Sequence, residues 1–294
     1  MHIKKGIGDW VFDIFNLILM VFLMIITLYP FLHVFFASIS DPAAVVQHRG
    51  LLLKPIGFTT GAYKLVFKNP MIPIGYKNTL IYVTVGTAIN IFLTTLGAYG
   101  LSRKNVYFKN HIMFLITFTM FFSGGLIPTY LLVKNLGMAD TRWALLIPNA
   151  ISAYNLIIMR TSFEGIPVSL EESAKLDGAN DFTVLFKIIL PLSMPVVAVM
   201  ILFYGVNHWN SWFNAMIYLR DRSLFPLQLV LRGILISNST EAMTAGATTG
   251  ADIEQVGETV KYATIIVATV PILFVYPFLQ KYFVKGVMIG AIKE

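Results

Sequence analysis

Two groups of residues have the types and the spacing to do chemistry. The first is polar and aromatic: Asn207, His208, Trp209, Asn210, Trp212 and Asn214, set inside an otherwise apolar run. An asparagine facing lipid is costly, so Asn207, Asn210 and Asn214 are expected to face a cavity or another helix. The plainer reading of the tryptophans is an interfacial aromatic belt. Asn149 and Asn155, in the preceding apolar run, would face the same space. The second group is acidic: Glu164, Glu171, Glu172, Asp177 and Asp181 place five of the fifteen carboxylates between residues 164 and 191. Other chemistries are missing from the sequence. Without cysteine there is no disulfide, thiolate metal site or thiol nucleophile. No G-x-x-x-x-G-K-[ST] occurs, so the chain has no P-loop for nucleotide phosphates. The apolar runs carry no charged residue centrally, and His33 and His208 read as hydrogen-bonded core histidines. An ion-coupled carrier needs intramembrane ionisable groups, so that class is disfavoured.

The acidic group must be positioned by local elements. Pro167 ends whatever precedes it. Ser169 and Glu172 have capping-box spacing, predicting a helix over 170–177 that stops at Gly178, where a left-handed residue costs nothing. Asn180 or Asp181 caps a second helix, with Phe182, Leu185, Phe186 and Ile189 on one face. Pro191 and Pro195 lead into the next apolar run.

A chain of 294 residues with 56% hydrophobic and only 13% charged residues is too apolar for a soluble domain. Its mean hydropathy is +0.72. The net charge of +7 fits basic loops beside membrane lipid headgroups rather than nucleic acid, because no basic run is dense. Six spans are expected, over 14–39, 80–101, 112–133, 143–159, 192–219 and 262–280. The first is too long for a signal-peptide core and is read as uncleaved. An even count puts both termini on one side, yet lysine and arginine divide equally between the two sides, eleven each. Segments 40–76 and 220–260 become the long loops of one face, the second helical over 223–236 and flexible beyond.

Glu172-Ser173-Ala174, three residues, Gly178, nine residues, then Ile188, Leu190 and Pro191 resemble the EAA loop of bacterial ABC importer permeases. Serine replaces the first alanine. Leu176-Asp177-Gly178-Ala179 is similar to the carbohydrate-uptake branch, especially oligosaccharide and polysaccharide permeases related to the maltose system's smaller membrane subunit. The resemblance implies an all-α integral membrane protein with six transmembrane helices, the type I ABC importer transmembrane domain. It implies one permease domain over 1–294 in the bacterial inner (cytoplasmic) membrane, termini cytoplasmic, with a cytoplasmic coupling loop at 164–191. The implied partners are a second related permease, two ATPase subunits and an extracytoplasmic solute-binding protein. ATP and magnesium would sit on the ATPase subunits, with no cofactor and no enzymatic activity in this chain. Glu172, Ser173, Ala174, Asp177 and Gly178 are then expected to contact the ATPase, small residues allowing close approach and carboxylates offering ion pairs. Sugars are held by amides that pair with hydroxyls and by rings that cover their apolar faces. On that basis Asn149, Asn155, Asn207, Trp209, Asn210, Trp212 and Asn214 are expected to line the substrate path. Ser237, Asn238, Ser239 and Thr240 are expected to meet the binding protein. The eleven basic residues of the outer segments add an anionic sugar, such as a uronate oligosaccharide, to the candidates. An ABC permease for another solute, such as a glycerophosphodiester, would use the same loop. An ion-coupled secondary carrier is the competing class.

Overall fold

The computed structural model describes residues 6–236, 257–274 and 277. Among them the long elements are all helices, and the one β contact is an isolated bridge between Ser40 and Phe58. The chain divides into two units, residues 1–69 with 233–270, and residues 70–232 with 271–294.

The first unit opens with α1 (Ile7–Ser38), a continuous 32-residue helix that starts seven residues before the expected span and carries Pro30 inside it. Its most apolar 18-residue window has no buried residue. Its C-terminal third is anchored: the Tyr29 hydroxyl accepts from the Leu52 amide at 3.1 Å, Ala37 and Ser38 are fully buried, and the Ser38 hydroxyl lies 2.7 Å from the Tyr63 hydroxyl. α2 (Pro42–Gln47) starts with proline at its first position, and Asp41 accepts from the Ala44 amide at 3.1 Å. α3 (Gly61–Lys68) buries Ala62 and Val66. A helix at Gly257–Phe274 starts five residues before the expected sixth span, and its Tyr262 ring packs edge-on against His33 at 6.0 Å. Residues 275–276 and 278–280 of that expected span lie outside the described residues, as do Ser237, Asn238, Ser239 and Thr240.

The second unit is built on α4 (Met71–Ser102), which begins nine residues before the expected second span and shortens the expected 40–76 loop. Asn78, Tyr82, Gly86, Asn90 and Thr94 recur every fourth residue and are all buried, so the small and polar stripe of α4 faces protein. α5 (Lys109–Phe121) and α6 (Leu126–Asn135) meet at 112° across Gly124 and Gly125, the latter at φ 84°. The expected fourth span is broken into α7 (Trp143–Leu146) and α8 (Ala153–Glu164), interrupted around Pro148. Next come α9 (Val168–Leu176) and α10 (Asp181–Leu192), the latter wound as a π turn over Leu185–Ile189. α11 (Met194–Trp209) leaves α10 at 85°, and α12 (Phe213–Tyr218) and α13 (Leu227–Ile236) follow. The core joins α4, α8, α10 and α11 through Tyr99, Met159, Phe163, Leu185, Ile189 and Met200.

The six-span expectation is met only in part. Three described helices are long and apolar enough to cross a membrane, or up to five if each bent pair counts as one span. The expected 143–159 span fails the count because Pro148 divides it into pieces of 4 and 12 residues.

Candidate functional site

One end of α4 carries the acidic group. α9 begins at Val168 with Pro167 in the capping position and no side-chain cap, so the Ser169–Glu172 capping box does not form. The proline has already fixed the backbone that starts the helix, and Ser169 falls inside the first turn. The glycine turn is as the sequence predicts: Gly178 has φ 84° and nothing within 4 Å of where a Cβ would stand. Asn180 Oδ1 accepts from the Thr183 amide at 2.8 Å and caps α10. The predicted apolar face of α10 is only half right. Leu185 and Ile189 are buried together with Val184, whereas Phe182 and Phe186 stay exposed. A π turn holds more residues than an α turn, so the 3.6-residue face the sequence implies is rotated through it.

Glu172, Ser173, Asp177 and Gly178 are exposed, and Ala174 packs on the core beneath α9. Leu176, at the tip, is 89% exposed. The neighbouring Glu171 turns inward instead, pairing with Arg103 and, at 2.9 Å, with Lys175. Lys175 also reaches Asp181 at 3.1 Å, while Lys109 and Arg160 both reach Glu164, at 2.6 and 2.7 Å. These groups edge a cleft of about 780 Å³ between α4, α8 and α9. Burial alone would push the Glu171 carboxyl up, but hydrogen bonds from Lys175 and Arg103, with their charges, outweigh it and hold it below the usual range. Lys175 is raised by its hydrogen bonds to Glu171 and Asp181.

Midway along α4 a polar seam closes the broken span. Asn90 Nδ2 donates to the carbonyls of Asn149 and Ala150, at 3.0 and 2.7 Å, which the break at Pro148 has left without helical partners. With its amide nitrogen so engaged, Asn90 presents Oδ1 to His208 Nε2 at 2.7 Å, so His208 donates from Nε2. His208 is thus the hydrogen-bonded core histidine the sequence predicts. Thr94 lies 2.8 Å from the Tyr204 hydroxyl, which also accepts from the Ser152 amide at 3.1 Å.

The opposite end of α4 holds the segment after α12. Asn78 Nδ2 donates to the carbonyls of Ser223 and Phe225 at 2.7 and 3.1 Å, its Oδ1 accepts from Arg142 at 2.9 Å, and Tyr82 donates to the Leu224 carbonyl at 2.7 Å. Asp140 accepts from the Arg220 and Asp221 amides, both at 2.8 Å; those of Asp221 and Arg220 together hold its carboxyl low.

The expected path residues differ in burial. Asn155 is buried, Trp209 and Asn214 are half-buried, and Asn149, Asn207, Asn210 and Trp212 are exposed. Trp209 packs edge-on against Tyr76 at 6.5 Å and its indole N–H has no acceptor among the described residues. Trp212 carries the Arg232 guanidinium 4.8 Å above its ring. Asn90 and Asn78 escaped sequence reasoning, as did the inward pairing of Glu171 with Arg103. For the asparagines a signal was present, a small or polar residue every fourth position along an apolar helix.

Broken helices sealed by side-chain amides, with a charged helical hairpin at one end, define a multi-span all-α membrane protein. Residues 4–289 match the family described as binding-protein-dependent transport system inner membrane component, and the chain belongs to that family. It is therefore a transport permease component and not an enzyme. The polygalacturonan/rhamnogalacturonan transport system permease protein YtcP of Bacillus subtilis (strain 168) is 45% identical over 95% of this chain and 98% of its own. Protein LplC of the same organism is 43% identical over 100% and 98%. A chain in the crystal structure of a bacterial ABC transporter involved in the import of the acidic polysaccharide alginate superposes with a TM-score of 0.86 at 34% identity, covering 96% of this chain and 100% of that one.

Proposed function

We propose that this chain forms half of the translocation path of an ATP-driven importer for an acidic oligosaccharide or polysaccharide. The observation that carries this reading is the likeness, over nearly the whole chain, to a subunit of an alginate importer. A second relative is named for polygalacturonan, also a polymer of uronic acid. On this reading the bilayer is crossed six times, with residues 143–164 as one broken span, and both termini are cytoplasmic. A second permease would complete the path, a solute-binding protein would deliver the sugar, and two ATPase subunits holding ATP and magnesium would drive it. The exposed side of α9, with Glu172, Ser173, Asp177, Gly178 and the apolar tip Leu176, would dock on an ATPase subunit. Ala174 would serve beneath that surface, as packing. Ser237, Asn238, Ser239 and Thr240 would meet the binding protein. The outer end is basic, with Lys77, Lys134, Arg142, Arg220, Arg222 and Arg232 against Asp140 and Asp221, which suits a polyanion. The Trp209 indole N–H, without an acceptor among the described residues, would offer a donor to sugar hydroxyls, and Asn149, Asn155, Asn207, Asn210, Trp212 and Asn214 would add amides and a ring.

Reconstitution with the cognate partners tests this. Uptake of galacturonate or related uronate oligomers is expected to require ATP and the loaded binding protein. Uptake by this chain alone on a proton or sodium gradient, or a response to neutral sugars only, overturns it.

A further inference from the structure

One carboxylate of α9 lies outside the proposed docking face. Glu171 is directed inward, its side chain only 11% exposed, while Glu172 beside it faces out. The carboxylate is shared between two cations, Oε2 with Arg103 and Oε1 with Lys175. Arg103 is itself held on several sides. Its Nε and one terminal nitrogen donate to Ser102 Oγ at 3.0 and 2.9 Å, and the same terminal nitrogen donates to the Phe163 carbonyl at 3.4 Å. Its guanidinium also lies 4.8 Å from the centre of the Tyr99 ring. One cation therefore joins the end of α4, the last turn of α8 and the middle of α9. Lys175 extends the linkage to Asp181 at the start of α10.

A nine-residue helix has little rigidity of its own, and α9 is left on two sides by turns, at Pro167 and at Gly178. A push on its outer face moves the spans only if the helix cannot rock on those turns. We propose that Arg103 and Glu171 are a positioning pair, a strut that fixes α9 to the ends of α4 and α8 so that movement of α9 is passed on to the membrane helices. Arginine suits this role because its planar fork, held by Tyr99 and Ser102, directs its donors at the carboxylate and the carbonyl in fixed directions, whereas a lysine ammonium is a freely rotating point charge on a flexible stem. The coupling function of the strut rests on the docking reading above; its mechanical function does not.

The absence of cysteine allows a direct test. Lys104→Cys and Leu176→Cys, both exposed, place spin labels on either side of the strut in the full-length chain in lipid nanodiscs. With the pair intact the label-to-label distance is expected to show one narrow peak. In Glu171→Gln, and separately in the charge-preserving Arg103→Lys, that peak is expected to broaden. Unchanged width in both variants overturns the strut. In the assembled transporter, Glu171→Gln is expected to lower uptake per ATP hydrolysed several-fold while the ATPase subunits stay bound. An unchanged ratio, or release of the ATPase subunits, overturns the positioning role. If the peak broadens as expected but Glu172→Lys with Asp177→Lys leaves ATPase binding and uptake intact, the docking reading fails and the strut stands.

Discussion

Asn90, like Asn78, makes three hydrogen bonds from α4 to other parts of the chain. It satisfies two carbonyls freed by the break at Pro148 and fixes the His208 tautomer. Replacing it by leucine takes the partner from the Ala150 carbonyl and the His208 imidazole, both in buried contacts, and from the part-buried Asn149 carbonyl. Asn90→Leu is expected to lower stability in detergent by about 2 kcal/mol, measured by thermal unfolding, as for unpaired buried polar groups. Gly86 shares this site: a Cβ there would stand 2.4 Å from His208 Nε2, so Gly86→Ala must displace the imidazole. The Gly86→Ala and His208→Ala effects are therefore expected to be less than additive in a double-mutant cycle, and strict additivity would show that the two do not share a site. Glu171 gives a pH dependence. Its folded pKa is depressed, so its contribution is full above the unfolded value and is lost as pH falls through the folded one. Lys175 is raised, so its share persists through neutral pH and is lost only as pH rises through its folded value. A nitroxide on Leu176→Cys is expected to gain mobility on acidification below the usual carboxylate range. The same label in Glu171→Gln should already be mobile at neutral pH.

The hairpin of α9 and α10 is set by its turn and by the winding of α10. Gly178 at φ 84° meets no neighbour, so substitution there costs backbone conformation and not space. Gly178→Val is expected to destabilise the hairpin by about 1–2 kcal/mol, and Gly178→Asn by clearly less, because asparagine tolerates the left-handed region. Equal effects of the two would mean that the turn is not held in that conformation. The π turn in α10 spans Leu185–Ile189. It turns Val184, Leu185 and Ile189 to the core and leaves Phe182 and Phe186 outside, available to lipid or to a neighbouring chain.

At the scale of the molecule, the large apolar side chains of α1 are exposed along most of its length, among them Phe12, Phe15, Ile18, Phe22 and Ile25. The described residues leave them largely uncovered, so Phe15→Leu with Phe22→Leu is expected to leave the chain's thermal stability within about 0.5 kcal/mol. A larger change, measured on the chain alone, would mean that α1 is packed against it in the membrane. If stability is unchanged but transport falls, α1 faces the second permease and not lipid.

The sequence by itself determined the class: hydropathy demands a bilayer, and the spacing from Glu172 through Gly178 to Pro191 identifies a hairpin with a glycine turn. Both are local properties, set by what each residue's backbone and side chain prefer over a few positions. The breaks at Pro148 and at Gly124 and Gly125 likewise fall on residues whose backbone preferences are local. Only the tertiary structure decided which of two adjacent glutamates turns inward, because that depends on Arg103, 68 positions away in sequence. The partner for the carbonyls freed at Pro148 also had to come from another helix, and Asn90 lies 59 positions before Asn149. The same holds for the winding of α10. An even helical period predicts an aromatic face, whereas the π turn over Leu185–Ile189 departs from that period and Leu185 and Ile189 join the core shared with α4, α8 and α11.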